Sequence, residues 1–112
     1  SSVAMSFAFK NGGVGAITAD FYQPKAAARH GDDQIRFAGE LGVVEVIGDK
    51  AFIRTHDEPE RELPQDTPRD FFSEFCAELR GDGKCLISME DTFTVTRAAL
   101  RALESADRAM GL

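Results

Sequence analysis

Apolar and polar residues alternate with a period of two near the start of the chain, which predicts a half-buried β-strand. An Asn11-Gly12 pair follows, a strong short-range signal for a hairpin turn, and the return strand is predicted over residues 14–22. Pro24 ends that strand because proline has no N–H to donate to a neighbour. The apolar positions of the first strand are Val3, Met5, Phe7 and Phe9.

A second hairpin is predicted around two glycines. A strand over residues 34–38 leads to Gly39, two residues separate Gly39 from Gly42, and a β-branched run follows over residues 43–46. Glycine adopts positive φ at no steric cost, which favours a tight reversal here. The other predicted parts of the sheet are a turn at 48–50, a strand over 51–55 and a short edge strand near Leu63.

The hydrophobic period then changes to that of helices. Thr67 is predicted as an N-cap, with Pro68 at the first helical position and Asp70 at the third. Gly81 suits the position just after this helix. Its apolar face consists of Phe71, Phe72, Phe75, Cys76 and Leu79.

A longer helix is predicted after Ser88, because Ser88 and Asp91 repeat the capping pattern. Two apolar stripes follow at helical spacing, one of large and one of mostly small side chains. The large stripe is Met89, Phe93, Leu100, Leu103 and Met110, and the small one is Val95, Ala99, Ala102, Ala106 and Ala109.

Strands followed by helices predict an α+β fold in one domain over residues 1–112. We expect a mostly antiparallel or mixed β-sheet with the two helices packed on one face. The other face would stay open to water or to a partner in an oligomer. The polar residues expected on that open face are Ser6, Thr18, Asp20, Tyr22 and Arg36.

Composition narrows the function. The chain has 112 residues and a net charge of −6, with scattered basic residues, which argues against a nucleic-acid partner. No apolar run approaches the roughly 20 residues that cross a bilayer, and no signal-peptide pattern opens the chain, so no membrane partner is expected. A start at Ser1 without methionine suggests a processed, tagged or truncated product.

Cysteine and histidine spacing predicts no metal site. Cys76 and Cys85 form no metal-binding pattern, and Cys76 falls on the apolar side of a helix, where a thiol acts as a small hydrophobe. Reduced thiols favour a cytoplasmic location. His56 lies among carboxylates around Pro59, but no second histidine stands at metal spacing.

Two glycine-rich stretches suggest phosphate binding and are better explained as turns. Gly12-Gly13-Val14-Gly15 leads into a strand, whereas a dinucleotide loop needs a helix N-terminus for the pyrophosphate. Gly81-Asp82-Gly83-Lys84 has Glu78 where a P-loop has its first glycine, and Cys85 where Ser or Thr would hold magnesium. We assign no cofactor-binding residue to this chain.

His30 is the more informative histidine. It lies between Arg29 and Asp32 in a polar loop that leads into a strand, and loops carried by a rigid sheet often bind ligands. Histidine donates or accepts hydrogen bonds near neutral pH. The alternative is a surface histidine without a ligand. No Ser/His/Asp or Cys/His arrangement is present, so no catalytic residue is assigned.

Three stretches, taken in order, span nearly the whole chain. They are Phe7-Ala8-Phe9-Lys10-Asn11-Gly12-Gly13-Val14-Gly15, then His30-Gly31-Asp32-Asp33-Gln34-Ile35 running into Gly39-Glu40-Leu41-Gly42-Val43-Val44-Glu45-Val46, and finally Phe71-Phe72-Ser73-Glu74-Phe75 through Gly81, with Ile87-Ser88-Met89-Glu90-Asp91 opening the long helix. In this order and spacing they resemble the C-terminal domain of the Gfo/Idh/MocA family of NAD(P)-dependent oxidoreductases. That family includes inositol dehydrogenases and glucose–fructose oxidoreductase.

The resemblance implies a two-domain enzyme whose Rossmann domain comes first, binds NAD or NADP, and is absent here. The family's catalytic lysine, in a Lys-Pro motif, and its aspartate and histidine lie in that missing part. We therefore expect this fragment to be inactive alone and to hold no cofactor. In relatives similar to inositol dehydrogenase, the loop matching residues 30–33 lies near the substrate, often with tyrosines at the positions of His30 and Asp32.

The leading hypothesis is thus the substrate-side and oligomerisation domain of an NAD(P)-dependent oxidoreductase acting on a sugar, polyol or related hydroxylated substrate. His30 and Asp32 are its predicted substrate-binding residues. Its expected partners are the missing Rossmann domain, a small-molecule substrate and further copies of the chain, because the family's open sheet face commonly forms the subunit interface. The alternative is a stand-alone, non-enzymatic domain that dimerises through its sheet or binds a small ligand there.

Overall fold

A computed structural model of the chain describes residues 2–28 and 32–110. These residues form two compact units that divide between Asp66 and Thr67. The first is a six-stranded antiparallel sheet and the second contains two helices. The predicted α+β class is confirmed. The packing of both helices on one sheet face and the assignment of residues 1–112 to one domain stay predictions.

The sheet is a meander in which strands adjacent in sequence are also adjacent in space, in the order β1-β2-β3-β4-β5-β6. Every neighbouring pair is antiparallel, so the sheet has no mixed part. The predicted strands are all present, including the short edge strand, which lies just before Leu63. The bounds are β1 Ser2–Ala8, β2 Val14–Asp20, β3 Gln34–Gly39, β4 Gly42–Ile47, β5 Lys50–Thr55 and β6 Arg61–Glu62.

Strand β2 ends two residues earlier than the pattern predicts. It stops at Asp20, whose carboxylate Oδ1 accepts a hydrogen bond from the Tyr22 N–H at 2.9 Å. A side chain that bonds the backbone two residues further on forms a turn, so the chain leaves the sheet before Phe21. The prediction that Phe21 and Tyr22 continue the strand, with Tyr22 on the open face, is wrong.

The two faces of the sheet differ as the alternation predicts. On the apolar face, the rings of Phe9 and Phe37 lie with their centroids 6.2 Å apart and tilted by 42°, against the buried Gly15. The register gathers on this face Val3, Met5, Phe7, Ile17, Ile35, Phe37, Val44, Val46 and Ile53. The opposite, polar face carries the predicted Ser6, Thr18, Asp20 and Arg36.

Helix α1 spans Phe71–Leu79, and its N-cap is Asp70 instead of the predicted Thr67. One carboxylate oxygen of Asp70 accepts the N–H groups of Phe72 and Ser73 at 3.1 and 3.2 Å, and the other accepts the Ser73 hydroxyl at 2.6 Å. These bonds hold the pKa of Asp70 below its usual value. A carboxylate accepts such bonds more strongly than a hydroxyl does, so the helix begins three residues later than predicted.

Gly81 follows the C-cap Arg80, and its position just after the helix is confirmed. It has φ +79°, in the left-handed region, and its N–H donates to the Glu78 carbonyl at 3.1 Å. The Asp82 N–H donates to the Ala77 carbonyl at 2.9 Å. This pair of bonds is the Schellman motif, which uses carbonyls that the helix leaves without partners.

Helix α2 spans Met89–Met110 and begins with the predicted reciprocal cap. The Asp91 N–H donates to Ser88 Oγ at 3.0 Å, while the Ser88 N–H donates to Asp91 Oδ2 at 3.0 Å. Two carboxylates of α1 hold the connection between the helices: Glu74 accepts the Leu86 N–H at 3.0 Å, and Glu78 accepts the Cys85 N–H at 3.2 Å. Within the described residues, neither helix combines the length and the apolar character needed to cross a membrane.

The observed cap makes a testable difference. We expect Asp70→Ala to lower the helical signal in far-ultraviolet circular dichroism and the midpoint of its thermal loss, because two N–H groups at the start of α1 lose their acceptor. Thr67→Ala should leave both quantities unchanged, as should Asp66→Ala, which removes an exposed carboxylate outside the cap. An effect of Thr67→Ala as large as that of Asp70→Ala would contradict this assignment.

Candidate functional site: the polar face of the sheet

The polar face is organised by cross-strand pairs on its three consecutive strands β3, β4 and β5. Arg36 on β3 lies directly opposite Glu45 on β4, and Glu45 lies opposite Phe52 on β5. Arg54 is two residues further along β5, on the same face. Because Arg36 and Glu45 are equally far from the Glu40-Leu41 turn, the two-residue hairpin itself sets them opposite one another.

Four charged side chains on this face form one continuous chain of ion pairs. Glu45 Oε1 accepts hydrogen bonds from Arg36 Nε at 3.1 Å and from Arg54 Nη2 at 3.2 Å. Arg54 Nη1 also donates to Glu60 Oε1 at 3.0 Å. The Glu45 side chain is 24% exposed, against 46% for Arg36 and 43% for Arg54. With two positive and two negative members, the chain of ion pairs is neutral.

Such a chain adds little to the stability of the isolated sheet. Ion pairs with this much solvent access contribute about 0–1 kcal/mol each, because water screens them and side-chain entropy opposes them. They direct the guanidinium groups of Arg36 and Arg54 toward Glu45. The charged part of the polar face is therefore built around one shared carboxylate.

A shallow depression of about 220 Å³ lies beside this chain of ion pairs. Thr18 and Gln34 supply polar groups to its wall, and Arg36 and Glu45 border it. Ala16, on β2, contributes only a methyl group. A hydroxyl, an amide, a guanidinium and a carboxylate together offer both donors and acceptors of hydrogen bonds.

Asp32 lies at one end of the sheet, where β2 ends and β3 begins. Its N–H donates to the Asp20 carbonyl at 3.3 Å, and its carboxylate accepts from Gln34 Nε2 at 3.5 Å. The next residue, Asp33, accepts the Gly48 N–H at 3.2 Å through its carbonyl, which ties this end to the end of β4. His30, the other predicted site residue, lies outside the described residues.

A wider, open depression of about 770 Å³ occupies the same end of the sheet. Its border includes Asp49 and Lys50 from the β4–β5 turn, together with Ala28 from the loop that precedes Asp32. Ile47 borders both depressions, so they meet at the end of β4. The predicted substrate residue Asp32 is thus near a concave, charged end of the sheet.

The described residues contain no group of three or more histidine, cysteine or acidic side chains arranged to hold a metal ion. His56 Nε2 instead lies 2.9 Å from the Glu40 carbonyl oxygen, which links the β3–β4 turn to the end of β5. Cys76 and Cys85 are free thiols. Within the described residues, neither the histidine nor the cysteines therefore mark a second candidate site.

Glu45, Arg54 and Glu60 are the residues of this face that the sequence pattern did not single out. A signal for the first was present, since Arg36 and Glu45 flank the two-residue turn symmetrically. The contact between Arg54 and Glu60 depends on the path of the chain between β5 and β6. No period in the sequence sets that path.

Neither the family models nor the curated proteins contain a match to this chain. A solved structure does match it, described as "Structure of putative oxidoreductase from Thermotoga maritima". The sequences are 29% identical, the TM-score is 0.66, and the match covers 95% of this chain and 38% of the other. This chain is therefore similar, over nearly its whole length, to part of that structure and spans 38% of that protein's length. Membership of the Gfo/Idh/MocA family stays a prediction.

Proposed function

We propose that the chain is the substrate-side and oligomerisation domain of an NAD(P)-dependent oxidoreductase of the Gfo/Idh/MocA type, acting on a sugar, polyol or related hydroxylated substrate. The observation that carries this proposal is the similarity of 95% of the chain to 38% of the Thermotoga maritima protein. Such a match covers almost all of this chain and a minority of the other, as expected if this chain corresponds to one domain of a larger enzyme. NAD or NADP would carry the hydride, bound by the Rossmann domain.

In this proposal the concave end of the sheet faces the substrate. The Asp32 carboxylate is a hydrogen-bond acceptor and suits the hydroxyl groups of a sugar or polyol. Gln34 holds one carboxylate oxygen from the side, which limits the directions in which Asp32 can accept a further bond. His30 precedes Asp32 by two residues and is proposed as its partner in substrate binding.

The polar face is proposed as the surface through which copies of the chain assemble. Its support is the neutral chain of ion pairs on a protein whose net charge is −6. Two acidic proteins repel each other less where their facing surfaces are neutral. The free thiols of Cys76 and Cys85 support a cytoplasmic location.

The test is to join this chain to the region encoded upstream of Ser1 and to assay the product. We expect a G-x-G-x-x-G segment and a Lys-Pro motif in that region. The joined protein should reduce NAD⁺ or NADP⁺ with a member of a polyol and aldose panel, while the 112-residue chain alone should not. An upstream region without these motifs, or a joined protein inactive with the whole panel, would overturn the proposal.

Substitution of Asp32 tests its proposed role in the joined enzyme. We expect Asp32→Asn to raise KM about ten-fold with a smaller change in kcat, because one charge-assisted hydrogen bond to the substrate is weakened. Asp33→Asn is the matched control, since Asp33 uses its backbone carbonyl to hold Gly48. Equal changes in KM for the two variants would remove Asp32 from the binding site.

A further inference from the structure

The two edges of the sheet differ in how they are protected from pairing with another chain. Proteins usually protect sheet edges with short strands, charged side chains or prolines. At one edge, β6 has only two residues, Arg61 and Glu62, and both are charged. At the other edge, β1 has seven residues, Ser2–Ala8, with neither a charge nor a proline among them. The outer side of β1, which we call the free edge, therefore uses none of these protections.

The backbone groups on the free edge can be assigned from the first hairpin. The Phe9 N–H donates to the Gly13 carbonyl at 2.8 Å, so the backbone groups of Phe9 point toward β2. Successive residues of a strand point their N–H and C=O groups to opposite sides. Within the described residues, no strand pairs with the free edge. The residues of β1 whose N–H and C=O groups point outward are Ser2, Ala4, Ser6 and Ala8.

We propose that the free edge pairs with the free edge of a second copy of the chain. The two β1 strands run antiparallel about a two-fold axis that is perpendicular to the sheet and passes between the two Met5 residues. Ala4 of each copy then lies opposite Ser6 of the other, and Ser2 lies opposite Ala8. Each such pair exchanges two hydrogen bonds, so all the outward N–H and C=O groups are used. Centring the pairing one residue earlier or later would leave Ala8 or Ser2 without a partner.

The side chains of β1 suit this pairing. A two-fold axis perpendicular to the sheet keeps each side chain on its own face, so the apolar face continues from one copy into the next. On that face, Val3 of each copy lies opposite Phe7 of the other, and the two Met5 side chains are neighbours. Apolar cross-strand pairs of this kind stabilise an antiparallel ladder. A second copy therefore brings the same alternation of apolar and small polar residues that β1 has.

Charge and closure also favour a second copy as the occupant. The chain has a net charge of −6, and two acidic proteins approach each other most easily where neither is charged. Because β1 has no charged residue, no like charges oppose one another across the free edge. Pairing uses the free edge of both copies and leaves only the short, charged β6 at each end. The interface is isologous, so this pairing ends at two copies.

Cross-linking through an introduced cysteine tests the register. Met5 would face Met5 of the second copy in a non-hydrogen-bonded pair, whose Cα atoms lie about 4.5 Å apart, within the range that a disulfide spans. With Cys76→Ser and Cys85→Ser, we expect Met5→Cys to give a disulfide-linked species of twice the chain mass on mild oxidation. Val3→Cys in the same background is the matched control. Val3 would lie about 13 Å along the strands from Val3 of the second copy, so this variant should stay unlinked.

A proline on the free edge tests whether the outward N–H groups hold the copies together. The Ala4 N–H points away from β2, so its loss leaves the bonds within the chain intact. In the dimer, Ala4→Pro removes one N–H donor from each copy and places a proline ring against the second strand. We expect it to lower the rate of cross-linking through Met5→Cys at least about ten-fold. Ala4→Val is the matched control, because valine has as many side-chain carbons as proline and keeps the N–H.

These experiments are separate from those on the proposed function, on which this inference does not rest. Circular dichroism checks that each variant is folded. Absence of a cross-link through Met5→Cys, an equal cross-link through Val3→Cys, or a rate that Ala4→Pro leaves unchanged would overturn the pairing of the free edges. None of these results changes the expected activity of the joined protein or its assembly through the polar face. A cross-link that forms in the 112-residue chain but not in the joined protein would show that the upstream region covers this edge, and would also overturn the proposal.

Discussion

Replacing Gly42 by alanine should destabilise the sheet by about 3 kcal/mol, near the upper end of what overpacking costs. A Cβ at this position would lie 2.4 Å from the Arg54 carbonyl oxygen and 3.1 Å from Thr55 Cα. Both atoms belong to the backbone of β5, which pairs with β4 through Gly42 and Thr55. A flexible side chain could move aside, but here the end of a strand has to shift.

Gly39, on the other side of the same turn, provides the matched control. A Cβ built there meets no atom within 4 Å, and its backbone is not in the left-handed region. We expect Gly39→Ala to change the free energy of unfolding by less than about 0.5 kcal/mol. Denaturant unfolding of both variants, followed by circular dichroism, measures the difference. Similar losses at the two positions would show that the turn, and not the approach of β5, requires glycine.

The shift of β5 would also reach the polar face. Arg54 contributes both its carbonyl to the crowded contact with Gly42 and its guanidinium to the pairs with Glu45 and Glu60. A displaced Arg54 backbone moves the guanidinium away from these carboxylates. Gly42→Ala is therefore expected to weaken the proposed assembly through the polar face as well, and Gly39→Ala is not.

The Gly39–Gly42 hairpin shows what the sequence could predict here. Spacing alone located the turn, and the register confirms it, since Gly39 pairs with Gly42 across Glu40 and Leu41. Gly42 has a positive φ of +159°, as the pattern predicts. The approach of β5 is a second reason for glycine, because a Cβ would lie 2.4 Å from the Arg54 carbonyl oxygen. That contact joins residues far apart in sequence, and no local pattern contains it.

The start of α1 shows a limit of a different kind. Thr67 and Asp70 both belong to residue types that cap helices, and each stands at an acceptable distance from the apolar face. The sequence offers two starts three residues apart. The choice depends on which side chain reaches the free N–H groups, and the Asp70 carboxylate reaches two of them. The sequence pattern alone does not distinguish a helix that begins after Thr67 from one that begins after Asp70.

The candidate site was predicted in outline. Alternation predicts that Ser6, Thr18 and Arg36 share one face, and the register confirms this. The prediction is reliable because side chains on a strand can point only to one face or the other. Alternation does not predict how the side chains of that face pair with one another. The chain of ion pairs arises only when β3, β4 and β5 are placed in order and the chain after β5 brings Glu60 to Arg54.

Acidification is expected to remove the helical signal of the chain cooperatively, because three carboxylates hold the ends of its helices. Hydrogen bonds from the Ser73 hydroxyl and N–H lower the pKa of Asp70, and those from the Ser88 hydroxyl and N–H lower the pKa of Asp91. The Arg69 guanidinium, followed by the Leu86 N–H, lowers the pKa of Glu74. In each case the charged form is bound more strongly in the folded chain than in the unfolded one.

The direction of the pH effect follows from these lowered pKa values. A carboxylate whose pKa is lower in the folded state stabilises that state fully above its ordinary value, which is 3.8 for Asp and 4.5 for Glu. The stabilisation is lost as the pH falls through the lower, folded pKa. Helical circular dichroism should therefore be constant down to about pH 4.5 and decrease below it.

A variant with amides in place of the three carboxylates isolates this cause. Asparagine caps helices nearly as well as aspartate at position 70, and amide oxygens at positions 91 and 74 can still accept the Ser88 and Leu86 N–H groups. Asp70→Asn with Asp91→Asn and Glu74→Gln should therefore keep most of the helical signal at neutral pH. Having no proton to gain at these sites, it should lose much less of that signal in acid. An acid transition equal to that of the natural chain would contradict this explanation. The loss of helical signal would then come from protonation of other carboxylates.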